Sequence, residues 1–240
     1  MISSPLLNEI ITGNKQNFNF AYRYTGLFDN HLTHRYNLNY GLSVKDEAEL
    51  KANLEEVANY YNLTHDHLQL LKQHHGNDVY LATVLPSSYD WPIADSVITT
   101  KPNLIIGIQT ADCAPIIIID KIKPMAAVIH CGWRGACNNI IGVTIEKMLE
   151  QGAHVSDMVA IIGPTIALKS YEVGGDVIGK LNNVNDKYRH KPYVLRGAQP
   201  NKFMLDLPAI ITDQLKSYQL KNIEDLAINT YADDRCFSHR

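Results

Sequence analysis

Residues 109–135 read QTADCAPIIIIDKIKPMAAVIHCGWRG. Two apolar runs rich in β-branched residues, 115–120 and 125–130, lie on either side of the short connection 121–124. A link that short closes an antiparallel hairpin, because a parallel crossover needs a dozen residues or more. If Asp120 faces Met125, paired residue numbers sum to 245, and position 113 falls opposite position 132. Cys113 and His130 then share one end of the hairpin, about one pair apart and within diagonal reach.

Outward from the hairpin, the runs 79–84, 96–100, 104–109 and 158–162 have the same character. They read as strands, several of them buried on both faces. A helix is expected after Asp46, which is placed to cap it, with Glu49 at the capping-box position. Its apolar face is Leu50, Leu54, Val57, Ala58 and Tyr61, and Asn62-Leu63 ends it. Thr64 is placed to cap a second, short helix carrying Leu68, Leu70 and Leu71. Residues 137–149 put Ile140, Ile141, Thr144, Ile145, Met148 and Leu149 at helical spacing before Gly152 stops them. Further helices are expected at 176–181 and 208–218, and a last strand at 226–229. Strands outnumber helices and come in runs, which predicts an α+β fold with a mixed or antiparallel sheet flanked by helices. No linker or repeat divides the chain, so 1–240 is expected to be a single domain. Neither GxGxxG nor a Walker A sequence is present, which removes the usual nucleotide folds.

Composition sets the outer limits. The 240 residues carry 22 Lys+Arg against 25 Asp+Glu, a net charge of −3, with 45% apolar residues. That apolar content supports a sizeable core and is too high for disorder. The weakly acidic balance, without a basic block, argues against a nucleic-acid or anionic-membrane binder. The longest apolar run, 114–119, is far too short to span a bilayer. The opening residues lack a basic start followed by an apolar core, so a cytoplasmic protein is the expectation.

Only 4 Cys accompany 10 His. So few cysteines in such a chain suit thiols or ligands better than a disulfide framework. A lone Cys–His pair at a strand end is also compatible with a small buried hydrophobe beside a hydrogen-bonded ring. The flanks favour chemistry: Asp112 can orient a ring or hold a turn, and Gly132-Trp133-Arg134-Gly135 feeds the next helix. An Arg with free N–H groups at a helix N-terminus forms an anion site, although Arg134 also suits a surface salt bridge. A third group is sought upstream in Gln73-His74-His75-Gly76, where the glycine frees the backbone for close approach. The spacings match no zinc-finger pattern, so His65, His67 and His74 stay open beside His75.

Taken together, QHHGNDV (73–79), QTADCAPIIIID (109–120), VIHCGWRG (128–135) and IGPTIALKSYEV (162–173) resemble a known family. It was first catalogued as multicopper polyphenol oxidases. Its members are similar to the human laccase-domain protein and were later recognised as purine nucleoside phosphorylases with adenosine deaminase activity. The resemblance runs from about Tyr22 to Phe237-Ser238-His239-Arg240. It implies a fold of the class that includes toxin-like cysteine hydrolases, with a Zn2+ held by His75, Cys113 and His130. Three ligands and an open fourth position are what a catalytic zinc requires. It also implies catalysis by those three residues, with Arg23, Asn39 and Glu172 joining Arg134 and Asp112 around the substrate. The partners implied are a purine nucleoside (adenosine, inosine or methylthioadenosine) and phosphate, yielding free base and ribose 1-phosphate.

Three other readings compete. Cys113 and His130 would serve as the dyad of an amidase that removes a wrong amino acid from a cell-wall precursor. The polyphenol oxidase of the family's first name would need a thiolate-bound copper and a separate multi-His cluster, whereas the sequence offers one three-ligand site that copper could also enter. A closed four-ligand zinc would instead mark a metal-stabilised partner-binding domain. The chain departs from the family pattern at Thr165, Asn229-Thr230 and Cys236-Phe237, where relatives carry thiols or aromatics. None of these is a proposed ligand, but they question any role for extra thiols.

Overall fold

A computed structural model of the chain describes residues 47–86, 91–190 and 192–240. Among them the order is α1 (Glu47–Asn59), β1 (Leu68–Gln69), β2 (Val79–Ala82), β3 (Ser96–Thr99), β4 (Ile105–Ile106), β5 (Ala114–Asp120) and β6 (Met125–Cys131). There follow α2 (Trp133–Cys137), α3 (Ile140–Glu150), β7 (Met158–Ile162), β8 (Glu172–Gly174), α4 (Gly175–Val184), β9 (Val194–Arg196), β10 (Lys202–Leu205), α5 (Leu207–Ser217) and β11 (Asn222–Asp225).

The hairpin β5–β6 lies at the centre of a six-stranded sheet ordered β11-β7-β5-β6-β3-β2. Its register runs from Asp120↔Met125 to Ala114↔Cys131, the pairing the turn length predicts. The outer pairs β11/β7 and β2/β3 are parallel and the inner ones antiparallel, so the sheet is mixed and the fold α+β. A three-stranded antiparallel sheet, β8-β10-β9, and a parallel pair, β1-β4, complete the strands.

Both faces of the large sheet are dry, which is why the sequence shows a continuous apolar run at 116–119 instead of alternation. On one face Ile116, Ile118, Ala127, Ile129, Ala160 and Ile162 pack in one cluster with Ile140, Ile141, Ile145 and Met148 of α3 and Ile210, Ile211 and Leu215 of α5. On the other, Ile119, Val159 and Ile161 meet Ile117, Ala126 and Leu226. Farther along, Leu71, Ala82, Ala94 and Val97 meet Val128 and Ile106. Each fully buried isoleucine contributes about 1.5–3 kcal/mol of transfer free energy.

The helix α1 packs Leu50 and Leu54 against Leu68, Leu70 and Trp91, and its Ala58 is also buried. Its expected capping pair, Asp46 and Glu49, lies outside the residues whose side chains are described. Three expectations are corrected. After Thr64 comes only a 3-10 turn, His65–His67, and Leu68 enters β1, where pairing with Ile105 uses the backbone a helix would need. The 137–149 helix is two helices, because Asn139 takes a left-handed conformation (φ 58°) that ends the ladder between α2 and α3. The last strand is β11, not 226–229; Leu226 packs on the sheet from a loop, and Asn229 makes one bridge to Thr165. The small sheet β8-β10-β9 is absent from the sequence reading. No helix among the described residues is long and apolar enough to cross a membrane.

The turn of the hairpin is held by the buried Asp120. Its Oδ1 accepts from the N–H groups of Ile122 and Lys123 (both 2.8 Å), and its Oδ2 accepts from His154 N–H at 3.0 Å. Asp120→Ala orphans all three donors and should cost about 2–3 kcal/mol. Urea denaturation with an unchanged m-value checks this.

Candidate metal centre

The ligand candidates come from two separate segments. His130 is the last but one residue of β6, opposite Pro115. Cys113 sits one step before β5, hence opposite Gly132, one step past β6. A Cβ built on Gly132 would lie 2.7 Å from Cys113 Sγ, so the glycine leaves the thiol its space. His75 arrives on the loop between β1 and β2 with a left-handed backbone (φ 62°), a conformation costing a non-glycine residue about 1–2 kcal/mol.

What gathers them is Asp95, a residue the sequence reading missed. It directly precedes β3 and is fully buried. Ser96 pairs with Ile129, so Asp95 falls opposite His130, whose backbone N–H donates to Asp95 O at 2.8 Å. The carboxylate Oδ1 accepts from His130 Nδ1–H at 2.8 Å and from His75 N–H at 2.9 Å. Oδ2 accepts from Gly76 N–H at 2.7 Å and from His74 N–H at 3.3 Å. Burial pushes the Asp95 carboxyl up, but these donors hold it down at about 2, so it is an anion.

An anion there can only accept, so His130 Nδ1 is the donor and Nε2 faces the other two candidates. Burial alone would lower the His130 pKa; hydrogen bonds with Asp95 and Cys113 outweigh it and raise it to about 9. The His75 pKa is lowered, first by desolvation of its ring and then by the charge of His130. The two rings meet edge to face, 4.7 Å between centroids. The ligand atoms of His75, Cys113 and His130 all lie within 4.8 Å of one another, the single such three-residue group among the described residues.

The remaining candidates are placed differently. His74 Nε2 lies 2.9 Å from Asp78 and 3.3 Å from Asp95, beside the group and not in it. His65 and His67 stay on their 3-10 turn. Asp112, in a positive-φ conformation (83°), turns its carboxylate to the fold: Oδ1 accepts from Thr230 Oγ1–H and Oδ2 from His239 N–H, both at 2.7 Å. Thr165 donates from Oγ1 to Asp112 O at 2.8 Å, so Thr165 and Thr230, both expected departures from the family pattern, brace the segment holding Cys113. Of the other thiols, Cys131 faces the helix-side core, where burial pushes its pKa well up, and Cys137 is likewise raised. Arg23 and Asn39 lie outside the described residues.

The rim is cationic. The exposed Arg134 places its guanidinium 4.5 Å from the Trp133 ring centroid, with Lys180 Nζ at 5.1 Å from the same ring. The helix expected to start at Cys137 beside Arg134 starts only at Ile140, and Arg134 rides on the short α2 before it. Arg240, also unforeseen, lies 5.4 Å from the Tyr171 ring centroid and donates to the carbonyl of Glu172 at 2.8 Å. Tyr171 is pushed up to about 12 by burial and by the charge of Cys113. The Asp before a strand and the terminal Arg carry no local motif. Only the tertiary pairing identifies them.

Gly132→Ala should displace Cys113 Sγ and weaken divalent-metal binding roughly tenfold or more, given about 1–3 kcal/mol for overpacking. Gly179→Ala is the control, with nothing within 4 Å of the added methyl. It should keep wild-type metal binding and raise stability by about 0.5–1 kcal/mol. Metal titration and thermal melts of both variants check the pair.

Residues 19–240 match the family described as multi-copper polyphenol oxidoreductase laccase. A purine nucleoside phosphorylase of Rickettsia prowazekii (strain Madrid E) is 33% identical over 217 residues, 87% of this chain and 84% of that protein. An adenosine deaminase, RL5, of an unknown prokaryotic organism is 35% identical over 119 residues, 48% of this chain and 43% of its own. The fold is shared with hypothetical protein YfiH of Bacillus licheniformis, at a TM-score of 0.76 and 24% identity over 85% of this chain and 80% of that one. It is also shared with YlmD of Geobacillus stearothermophilus, at 0.73 and 24% identity over 85% and 79%.

Proposed function

The chain belongs to the multi-copper polyphenol oxidoreductase laccase family, and we propose that it is a zinc-dependent purine nucleoside phosphorylase with adenosine deaminase activity. The observation that carries the reading is the gathering of two imidazoles and a thiol at one point, with cations on the rim. Relatives named for these two activities supply the substrate class. Zinc–nitrogen bonds of about 2.0–2.1 Å and zinc–sulfur bonds of about 2.3 Å put tetrahedral ligand atoms roughly 3.4–3.6 Å apart. The group, with all its ligand atoms within 4.8 Å, needs only a small contraction to meet that geometry. A zinc ion bound there would supply a Lewis acid with one open position.

In phosphorolysis a phosphate oxygen bonds to ribose C1′, the bond from C1′ to the purine breaks, and the departing base takes a proton. In deamination water adds at the purine C6 and ammonia leaves. Arg134, braced on Trp133, holds the phosphate. Asp112 has both carboxylate oxygens engaged by the fold, which leaves Glu172 as the carboxylate for protonating the base. Arg23 and Asn39 join the substrate contacts on the strength of the resemblance alone. The reading takes 1–240 as one domain of the toxin-like cysteine hydrolase type, acting in the cytoplasm on small molecules, not on nucleic acid or membrane.

One observation favours a second reading. Cys113 Sγ lies within 4.8 Å of the His130 ligand nitrogen, and Asp95 lies behind that imidazole, the nucleophile–base–orienter order of a cysteine hydrolase. That arrangement suits the amidase. The copper polyphenol oxidase reading has less support, since a multicopper centre needs further ligand clusters beside the single group among the described residues.

Product analysis with measured metal content decides. Adenosine with phosphate should give adenine and ribose 1-phosphate, and adenosine alone should give inosine. Cys113→Ala should lose zinc and fall more than about 100-fold in both reactions, beyond the usual effect of altering a ligand's supporting shell. Arg134→Ala should raise KM for phosphate about tenfold, as expected for a charge-assisted contact, and leave KM for the nucleoside unchanged. Full activity of metal-free protein, with a covalent adduct on Cys113, would establish the amidase instead.

A further inference from the structure

Asp95 makes contacts that a residue serving only to pack the fold would not need. Two chain segments meet on its carboxylate: the 74–76 loop offers three backbone N–H groups, and His130, 35 residues away, offers its ring Nδ1–H. Oδ1 is shared between the segments, accepting from His75 N–H at 2.9 Å and His130 Nδ1–H at 2.8 Å. A carboxylate is the side chain suited to this position, because it presents only acceptors and has lone pairs enough for four donors. A hydroxyl or an amide would face at least one N–H with its own hydrogen.

We propose that Asp95 is a positioning residue that presets the metal site, fixing the Nε2-ligating tautomer of His130 and the left-handed backbone of His75 through one shared carboxylate. The proposal rests on the reading of His75, Cys113 and His130 as metal ligands. For His130, the bond at Nδ1 leaves Nε2, on the side of Cys113 and His75, as the nitrogen that can ligate a metal. Metal-binding histidines generally donate their second ring nitrogen to such a partner. For His75, the bonds at its own N–H and at Gly76 N–H hold the loop in a conformation that a β-carbon disfavours. The two histidine ligands therefore share one support, and loosening it loosens both. His74 closes the far side, with its ring Nε2 at 3.3 Å from Asp95 Oδ2 and 2.9 Å from the exposed Asp78.

The test is zinc affinity by competition with a chromogenic chelator, together with ring-nitrogen NMR. Asp95→Asn keeps an acceptor for His130 but turns an N–H toward Gly76, and should bind zinc roughly tenfold more weakly. Asp95→Ala removes every bond of the carboxylate and should approach a 100-fold loss, the upper range for altering such a partner. Asp78→Asn, which leaves the Asp95 bonds intact, should bind as wild type does. In ¹⁵N-labelled, zinc-loaded wild-type protein, His130 should carry its proton on Nδ1 with Nε2 as the ligand. That readout needs no variant to fold and is not moved by a purely structural role. Wild-type affinity in both Asp95 variants, or zinc on Nδ1 of His130, overturns the proposal while leaving the metal site standing. Wild-type protein that takes up no zinc overturns the metal reading and this proposal together.

Discussion

The ladder between β5 and β6 runs unbroken from Asp120↔Met125 to Ala114↔Cys131, and the site is a corollary of that register. Side chains alternate along a strand, so a slip of one residue exchanges the two faces. In the register observed, Cys131 points into the helix-side core while His130 points to the side that holds Asp95. A slipped hairpin would put the inert thiol where the imidazole stands. The next ladder, β3 on β6, then decides which residue meets His130, and its first pair, Ser96↔Ile129, makes that residue Asp95. Two antiparallel registers thus carry an acid and a base, distant in sequence, to one place.

Charge is layered along the depth of the site. The buried Asp95 anion lies beneath, held at about 2 by its donors, and the imidazoles and the thiol come next. Arg134 and Lys180 flank Trp133, and Arg240 lies over Tyr171. Negative charge below suits a metal cation, and positive charge above suits an anion, so the two demands of the proposed chemistry do not compete for one position. Asp112, although adjacent to Cys113 in sequence, takes no part in this layering, because both its oxygens are bonded to the 230–239 segment.

The hairpin and its register were legible because a four-residue connection leaves one topology, and the alternation then follows. The strands β3, β5, β6 and β7 were legible for a related reason, since burial on both faces writes itself as an apolar run. Asp95 was not legible: its role depends on a strand pairing that no local pattern encodes. Nor was the break at Asn139, because the apolar period from Ile140 onward extends smoothly back to Cys137 and hides a left-handed residue supported from elsewhere, by Tyr218 Oη accepting from Asn139 Nδ2–H at 2.9 Å. Leu226 misled in the opposite direction, since an apolar residue that packs from a loop looks the same in sequence as one in a strand. The strands β8, β9 and β10 span three or four residues each, too few for any period to register. Among the candidate ligands, His130 and Cys113 came from the hairpin itself, whereas His75 was separated from its neighbours only by resemblance.

The interruption between α2 and α3 has an effect outside its own helices. A carbonyl inside an uninterrupted helix is taken by the N–H four residues on, and has little left for outsiders. At the break, the carbonyl of Asn138 accepts instead from Asn77 Nδ2–H at 2.8 Å. Asn77 is two residues beyond His75, on the same loop. The defect in one element is therefore a mooring for another: the strand that delivers His130 leads into a turn that tethers the loop delivering His75. An uninterrupted helix from Cys137 would take that carbonyl for itself and leave Asn77 without this attachment.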